Sequence, residues 1–287
     1  MEKQQDRRDF LKKAGIVAGL VQLPFVGWSA GFSTLFSEGV KTTKEFSLLK
    51  LDKLLTDYQF PFISEFSTTS FSTRYSQYNL YGSNAVRAGE LSLHSLINGE
   101  NLLFDFASSR LANNGIKGRN QIFKYILSGS VQCENNATLS PQKWKVATKI
   151  ALSEEEAAFG GTGITTEGEV KNGEIRIKSG NKLIRKQYSN NPPLSWKWGL
   201  LAVAQKMAEA SAPELQFALL DEFDTVYQNQ KMRFRRTVKI DCGNDRRIDF
   251  KVFELTGDGV LPTVYWVDHL NRTVFVICGM EAFVLNG

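Results

Sequence analysis

Two Asn-Gly dipeptides constrain this chain more than any other feature. Asn98-Gly99 lies between Ala88–Ile97 and Asn101–Ser108, and Asn172-Gly173 precedes a run in which Ile175 and Ile177 alternate with Glu174, Arg176 and Lys178. Such a pair takes positive φ at both corners of a type I′ turn, whose twist matches two antiparallel strands. Alternation of apolar and polar residues marks a strand with one buried face. Between the turns, Gln121–Cys133 and Lys143–Leu152 read as further strands, and Glu154–Phe159 is long enough only for a turn of helix. Glu214–Leu220, Lys231–Ile240, Arg247–Thr256, Thr263–Asp268 and Thr273–Leu285 continue the series. Phe234, Val238 and Ile240 alternate with Arg233, Arg235, Thr237 and Lys239, which sends the bases to solvent. Val274–Cys278 is apolar throughout, so both of its faces are expected to be covered.

One stretch breaks the strand pattern. Leu194–Ala210 follows Pro192-Pro193, stops before Pro213, and carries Leu200, Leu201, Val203, Ala204, Met207 and Ala208 among helix-compatible residues. It is expected to be the one long helix, 194–210, with its apolar side on the concave face of a sheet. The fold class is therefore mainly β (α+β), a curved antiparallel sheet or half-barrel wrapped around one helix. Residues 31–83 form a Ser/Thr-rich leader, with a short amphipathic helix expected within Lys44–Tyr58 and extended structure within Gln59–Asn84. The β domain is expected to occupy 84–287.

The first thirty residues read as an export signal. Lys3, Arg7, Arg8, Lys12 and Lys13 precede an uncharged, mostly apolar run from Ala14 to Ala30 that ends in small residues. Gly15, Gly19, Gln22, Pro24 and Gly27 interrupt that run, which is shorter than the ~20 apolar residues a membrane-spanning helix needs. Arg7-Arg8 before Phe10-Leu11-Lys12 resembles the bacterial twin-arginine signal. The resemblance implies a partner in the twin-arginine export machinery and a periplasmic or extracytoplasmic location. Cleavage near Ala30 is expected, with a retained membrane anchor as the alternative.

Tyr78-x-x-Tyr81-Gly82, Arg87-Ala88-Gly89-Glu90-Leu91, a long series of strands, one helix and the terminal Val264-Tyr265-Trp266-Val267-Asp268 hairpin resemble a group of exported bacterial proteins of uncharacterised function. Those look like the half-barrel of the lipoprotein carriers LolA and LppX. The resemblance covers about Tyr78 to Leu285 and rests on element order. It implies binding of an acyl chain or another apolar, lipid-like ligand in the concavity, without catalysis.

Composition excludes several classes. At 287 residues, 42% apolar and 23% charged, the chain is neither disordered nor fibrous. Its net charge of +5 includes 5 − 3 = +2 from residues 1–13, leaving +3 for the rest, read as evenly spread, so no nucleic-acid partner is expected. His94 and His269 are the only histidines, and Cys133, Cys242 and Cys278 are widely spaced, so no metal site and no cofactor is expected. At most one disulfide can form, and the cysteines are expected mainly as small apolar residues within strands. No Gly-x-Ser-x-Gly occurs, and Gly160-Gly161-Thr162-Gly163 lacks the Lys and the following helix of a phosphate loop.

Trp144, Trp196, Trp198, Tyr265 and Trp266 are the candidate ligand contacts, able to line an apolar cavity or stack on a sugar. Asp221, Glu222 and Asp224 around Phe223, with Glu254 or Asp258 further on, are the candidate acid/base groups for the alternative of a carbohydrate-active enzyme or accessory. Their simpler reading is a solvated connection between strands. A third reading is a structural subunit exported with an envelope partner.

Overall fold

The computed structural model describes residues 67–81, 84–113, 122–151, 162–188, 191–241 and 247–286. Its first eight strands are β1 (Phe71–Tyr81), β2 (Asn84–Asn98), β3 (Asn101–Asn113), β4 (Ile122–Glu134), β5 (Pro141–Ala151), β6 (Thr162–Lys171), β7 (Glu174–Ser179) and β8 (Lys182–Gln187). A short strand β9 (Leu194–Trp196) leads into the helix α1 (Leu200–Glu209). The chain then runs through β10 (Glu214–Asp221), β11 (Thr225–Asp241), β12 (Arg247–Thr256), β13 (Thr263–Val267), β14 (Thr273–Cys278) and β15 (Glu281–Leu285). All fifteen strands join one sheet, in the order β8-β7-β6-β5-β4-β3-β2-β1-β15-β14-β13-β12-β11-β10-β9. Two meanders thus run outward from a central seam where β1 pairs antiparallel with β15. The β9–β10 pair alone is parallel.

The sheet is strongly curved. β3 and β9 stand nine places apart in the strand order, which at about 4.8 Å per strand is roughly 43 Å in a flat sheet. Yet the Phe104 and Trp196 rings lie 5.4 Å apart. The concave faces of the two meanders therefore meet, and their inward side chains form one core.

Helix α1 packs on β13 and β14. Leu200, Leu201, Ala202, Val203, Ala204, Gln205, Met207 and Ala208 are all buried, and only Lys206 and Glu209 reach solvent. Thr273 Oγ1 donates to the Leu201 carbonyl at 2.8 Å, and Lys251 Nζ to the Ala208 carbonyl at 2.6 Å. Lys206 Nζ reaches Asn135 Oδ1 at 2.7 Å and the Asn136 carbonyl at 3.0 Å. Both ammonium groups sit by the carbonyl end of the helix dipole, the end that favours cations. Ser211 ends the helix at φ 52°, with Ala212 N–H donating to the Met207 carbonyl at 2.9 Å, a Schellman closure completed by Pro213.

Three expectations are corrected. The helix begins at Leu200 rather than Leu194, because Leu194, Ser195 and Trp196 pair with Ala218, Leu219 and Leu220 of β10. Ser and Trp have middling helix propensity, and burial of the Trp196 ring decides the conformation. The run Thr273–Leu285 is two strands, since Gly279 at φ 58° turns the chain between Cys278 and Glu281. The Asn98-Gly99 turn is shifted by one residue: Asn98 pairs with Asn101, placing Gly99 and Glu100 at the corners with positive φ only at Gly99. That is the pattern of a type II′ turn. Asn172 and Gly173, at φ 53° and 72°, do form the expected type I′ corners.

The sheet also starts before residue 84. β1, inside the Ser/Thr-rich stretch, is the strand that joins the two meanders. Cys133 is buried in β4 and Cys278 half-buried at the end of β14, whereas Cys242 lies outside the described residues. So do Arg7, Arg8, Phe10 and Leu11, the Lys44–Tyr58 segment, and Glu154–Gly161.

Candidate functional site

The β10–β11 turn carries the most unusual backbone near the sequence-predicted residues. Glu222 and Phe223 occupy its corners at φ 49° and 62°, closed by Asp224 N–H to the Asp221 carbonyl at 3.3 Å. Left-handed conformation costs a residue with a Cβ about 1–2 kcal/mol. Burial of Phe223 offsets it. Its ring lies 5.4 Å from Phe106, 5.9 Å from Trp196 and 6.2 Å from Trp144. Full burial of a Phe contributes about 1.5–3 kcal/mol, and each aromatic pair about 0.5–1.5 more. The turn thus carries an aromatic ring from one meander into the concave face of the other.

Polar contacts at the same turn reinforce this closure. Lys197, just after β9, places Nζ 3.0 Å from Asp221 Oδ1 and 3.0 Å from Glu222 Oε1. Partial burial pulls the ammonium pKa down, but the Glu222 and Asp221 carboxylates outweigh it and raise the pKa above the ordinary lysine value. Tyr125 of β4 donates to Glu222 Oε2 at 3.5 Å, and Lys186 of β8 donates to the Asp224 carbonyl. Asp224 Oδ1 accepts from Thr225 Oγ1 at 3.0 Å. Two of the three candidate acid/base groups are therefore committed to one ammonium.

The candidate ligand contacts separate into distinct places. Trp144 and Trp196 share the cluster around Phe223. Trp198 packs edge-on against Phe283 at 5.5 Å, with Lys197 Nζ 5.5 Å from its ring centre. Trp266 packs on Phe250 at 6.1 Å, and its strand neighbour Tyr265 points to the opposite face of β13. Burial holds the Tyr265 hydroxyl well above the usual phenol range. Glu254 pairs with Arg235, and Asp258 Oδ2 accepts from Asn229 Nδ2 at 3.0 Å. Asp268 builds the β13–β14 corner: Oδ1 accepts from Leu270 N at 3.0 Å and Arg272 N at 2.9 Å, while Oδ2 takes Arg272 Nε at 2.8 Å and Nη2 at 2.7 Å. His269 is exposed beside it, and His94 is half-buried in β2. Among the described residues no group of three or more His, Cys, Asp or Glu side chains converges as a metal site.

Two features escape the sequence reading. The first is polar: Gln205 is 0% exposed at the centre of α1, and neither atom of its carboxamide has a hydrogen-bond partner among the described residues. Ser195 Oγ and the indole Nε1 atoms of Trp144 and Trp266 are likewise buried and unpartnered among the described residues. Native cores rarely leave such groups unmet, because each costs about 1–3 kcal/mol. A hydrophobic run around position 205 masks them in sequence.

The second is a groove of about 640 Å³ on the outer face of β4–β8, with Leu103 of β3 at its end. It gathers five bases, Lys143, Lys145, Arg176, Lys178 and Arg185, against Glu167 and Glu169, a local 5 − 2 = +3. Strand alternation does signal an outward charged face for β7, but the neighbours across the sheet follow only from register.

Comparison with known proteins yields no matching family model and no match among curated proteins. Among solved structures, a beta-barrel-like protein of a domain of unknown function (DUF1849) from Brucella abortus is similar at 10% identity and a TM-score of 0.46, over 75% of this chain and 94% of that one. A DUF1089 family protein from Pseudomonas aeruginosa is similar at 7% identity and a TM-score of 0.32, over 78% of this chain and 96% of that one.

Proposed function

We propose that this is an exported, extracytoplasmic protein without catalytic activity, whose sheet bends as a half-barrel around α1 and holds an apolar, lipid-like ligand against the concave aromatic face. The observation that carries the reading is Gln205, a wholly buried carboxamide with both polar atoms unpartnered among the described residues. Ligand sites of this class combine mostly apolar walls with a few polar groups that fix orientation. Gln205 is the polar group here. An amphiphile whose head group pairs with it would satisfy the carboxamide while its chain replaces contacts between apolar side chains.

The test is mass spectrometry of an organic extract of the full-length protein purified from the envelope fraction. A near-stoichiometric amphiphile, reduced in the Gln205→Leu variant, is the expected result. An extract without amphiphile, together with no uptake of a fluorescent fatty acid by the purified protein, would overturn the proposal. The acid/base alternative is not carried further, because Asp221 and Glu222 are joined by Lys197. Export with an envelope partner is tested by pull-down from the same fraction, where a co-purifying chain supports it.

A further inference from the structure

The outer groove has an order that its composition does not reveal. Lys145, Glu167 and Lys178 are successive cross-strand partners on β5, β6 and β7. Two residues along, Lys143, Glu169, Arg176 and Arg185 are partners on β5 through β8. The rows lie about 6.8 Å apart and cross strands spaced about 4.8 Å. In each row an acid stands between two bases, and the second row ends with two arginines directly opposite each other. Like charges in register destabilise a sheet. Lys145 Nζ meets Glu167 Oε1 at 2.9 Å, and Arg176 Nε meets Glu174 Oε2 at 2.6 Å. Lys143, Lys178 and Arg185 enter no ion pair among the described residues and face the groove.

We propose that this groove is a binding site for an acidic polysaccharide, a chain carrying uronate carboxylates and free hydroxyls. The alternation decides the class. A polymer with a negative charge at every position would meet Glu167 and Glu169 as repulsive contacts. A uronate chain with carboxylates on alternate sugars presents them to Lys143, Lys178 and Arg185, and hydroxyl donors to the two glutamates; Arg176 is already held by Glu174 and, at 3.7 Å, by Glu169. Ser130 and Gln132 on β4 add neutral hydrogen-bonding partners. Arginine's fixed fork suits carboxylate recognition. Nucleic acid is disfavoured because binding of single strands relies on exposed rings for base stacking, whereas Trp144, the aromatic residue at the groove, is buried with its ring beside Phe223 on the opposite face. This site lies on the other side of the sheet from the proposed apolar ligand and does not depend on it.

The test is calorimetric titration of the full-length protein with hyaluronan, whose uronate carboxylates fall on alternate sugars, with neutral dextran and oligo-dT as comparison polymers. Uronate binding that weakens with salt, no dextran binding and weaker oligo-dT binding are expected. The Lys143→Gln/Arg185→Gln double variant should bind uronate about tenfold more weakly, through loss of two charge-assisted contacts. Both side chains are exposed, so its melting temperature and its amphiphile content should match the unsubstituted protein. No uronate binding, equal or tighter binding of oligo-dT, or an unchanged affinity in a folded double variant would each overturn the assignment. Loss of amphiphile with uronate binding intact would instead bear on the interior site alone.

Discussion

Replacing Gln205 with leucine should stabilise the protein, an unusual outcome for a core substitution. The side chain is wholly buried, and both of its amide atoms are unpartnered among the described residues. Each unmet group costs about 1–3 kcal/mol, whereas a leucine of similar bulk introduces none. It also gains transfer energy for its methyl groups, and its helix propensity is at least as good as that of glutamine. Allowing for imperfect fit of the branched chain, the net gain is about 2–4 kcal/mol. For a domain of this size that raises Tm by roughly 5–12 °C. Urea unfolding of delipidated proteins is the assay, with the m-value as a check that unfolded compactness is unchanged. Delipidation matters because a bound amphiphile stabilises the unsubstituted protein by mass action and masks the difference. A loss of 1 kcal/mol or more in the leucine variant would refute the reasoning, since it would mean the carboxamide is already satisfied by the fold.

Four further outcomes follow from the same geometry. Phe223→Ala should cost about 3–5 kcal/mol in urea unfolding, because it empties the cluster of Trp144, Trp196 and Phe106 while leaving the left-handed backbone unrelieved. Asp268→Ala should cost about 3–5 kcal/mol, since Arg272, 2% exposed, loses its buried counter-charge. Stability should fall as pH rises from about 10 to 12. The Tyr188 hydroxyl, donating to the Pro192 carbonyl at 2.7 Å, is pushed by burial from 10.0 up to about 12, so the folded state holds its proton where the unfolded state has released it; a flat profile of unfolding free energy across this range would contradict that. Arg7→Lys/Arg8→Lys should leave the protein in the cytoplasmic fraction, and unchanged recovery from the envelope fraction would remove the twin-arginine reading.

Clean alternation was legible in β7 but not in β11, where a register shift between Phe234 and Arg236 leaves Phe234 40% exposed. In β7, Ile175 and Ile177 are buried and Arg176 and Lys178 face out, as the spacing requires. Val274, Phe275 and Val276 are covered, with α1 against their strand. β1 was legible only as extended structure within Gln59–Asn84; its face and its place at the seam were not, because Ser76 and Gln77 are buried beside Tyr75 and erase the alternation. Ser76 is satisfied across the seam, where Oγ donates to Asn286 Oδ1 at 2.8 Å, a partner far away in sequence. The role of Phe223 was hidden for the converse reason. A lone aromatic among Asp221, Glu222 and Asp224 looks like part of a solvated loop until the curvature brings β3 and β5 over it. Sequence periodicity reports which face a residue takes on its own strand. It carries no information about which distant face curls round to meet it.

A sheet of fifteen strands that does not close by hydrogen bonding has two edges, and open edges invite pairing with other chains. The two are managed differently. β9 is only three residues long, and all three are buried, with Trp196 enclosed by Phe104, Phe106 and Phe223. Its free edge is covered by the curvature itself. β8 stays outside, with Leu183 and Ile184 55% and 42% exposed. It is guarded by Lys182, Arg185 and Lys186, the charged edge residues that discourage association. Arg185 therefore has two physical roles, edge protection and the end of the second charged row. The roles separate experimentally, because Lys182 and Lys186 still guard the edge when Arg185 is neutralised. A Lys143→Gln/Arg185→Gln protein that stays monomeric by light scattering and loses uronate affinity would assign the charge rows to ligand binding, whereas aggregation of that variant would assign Arg185 to the edge.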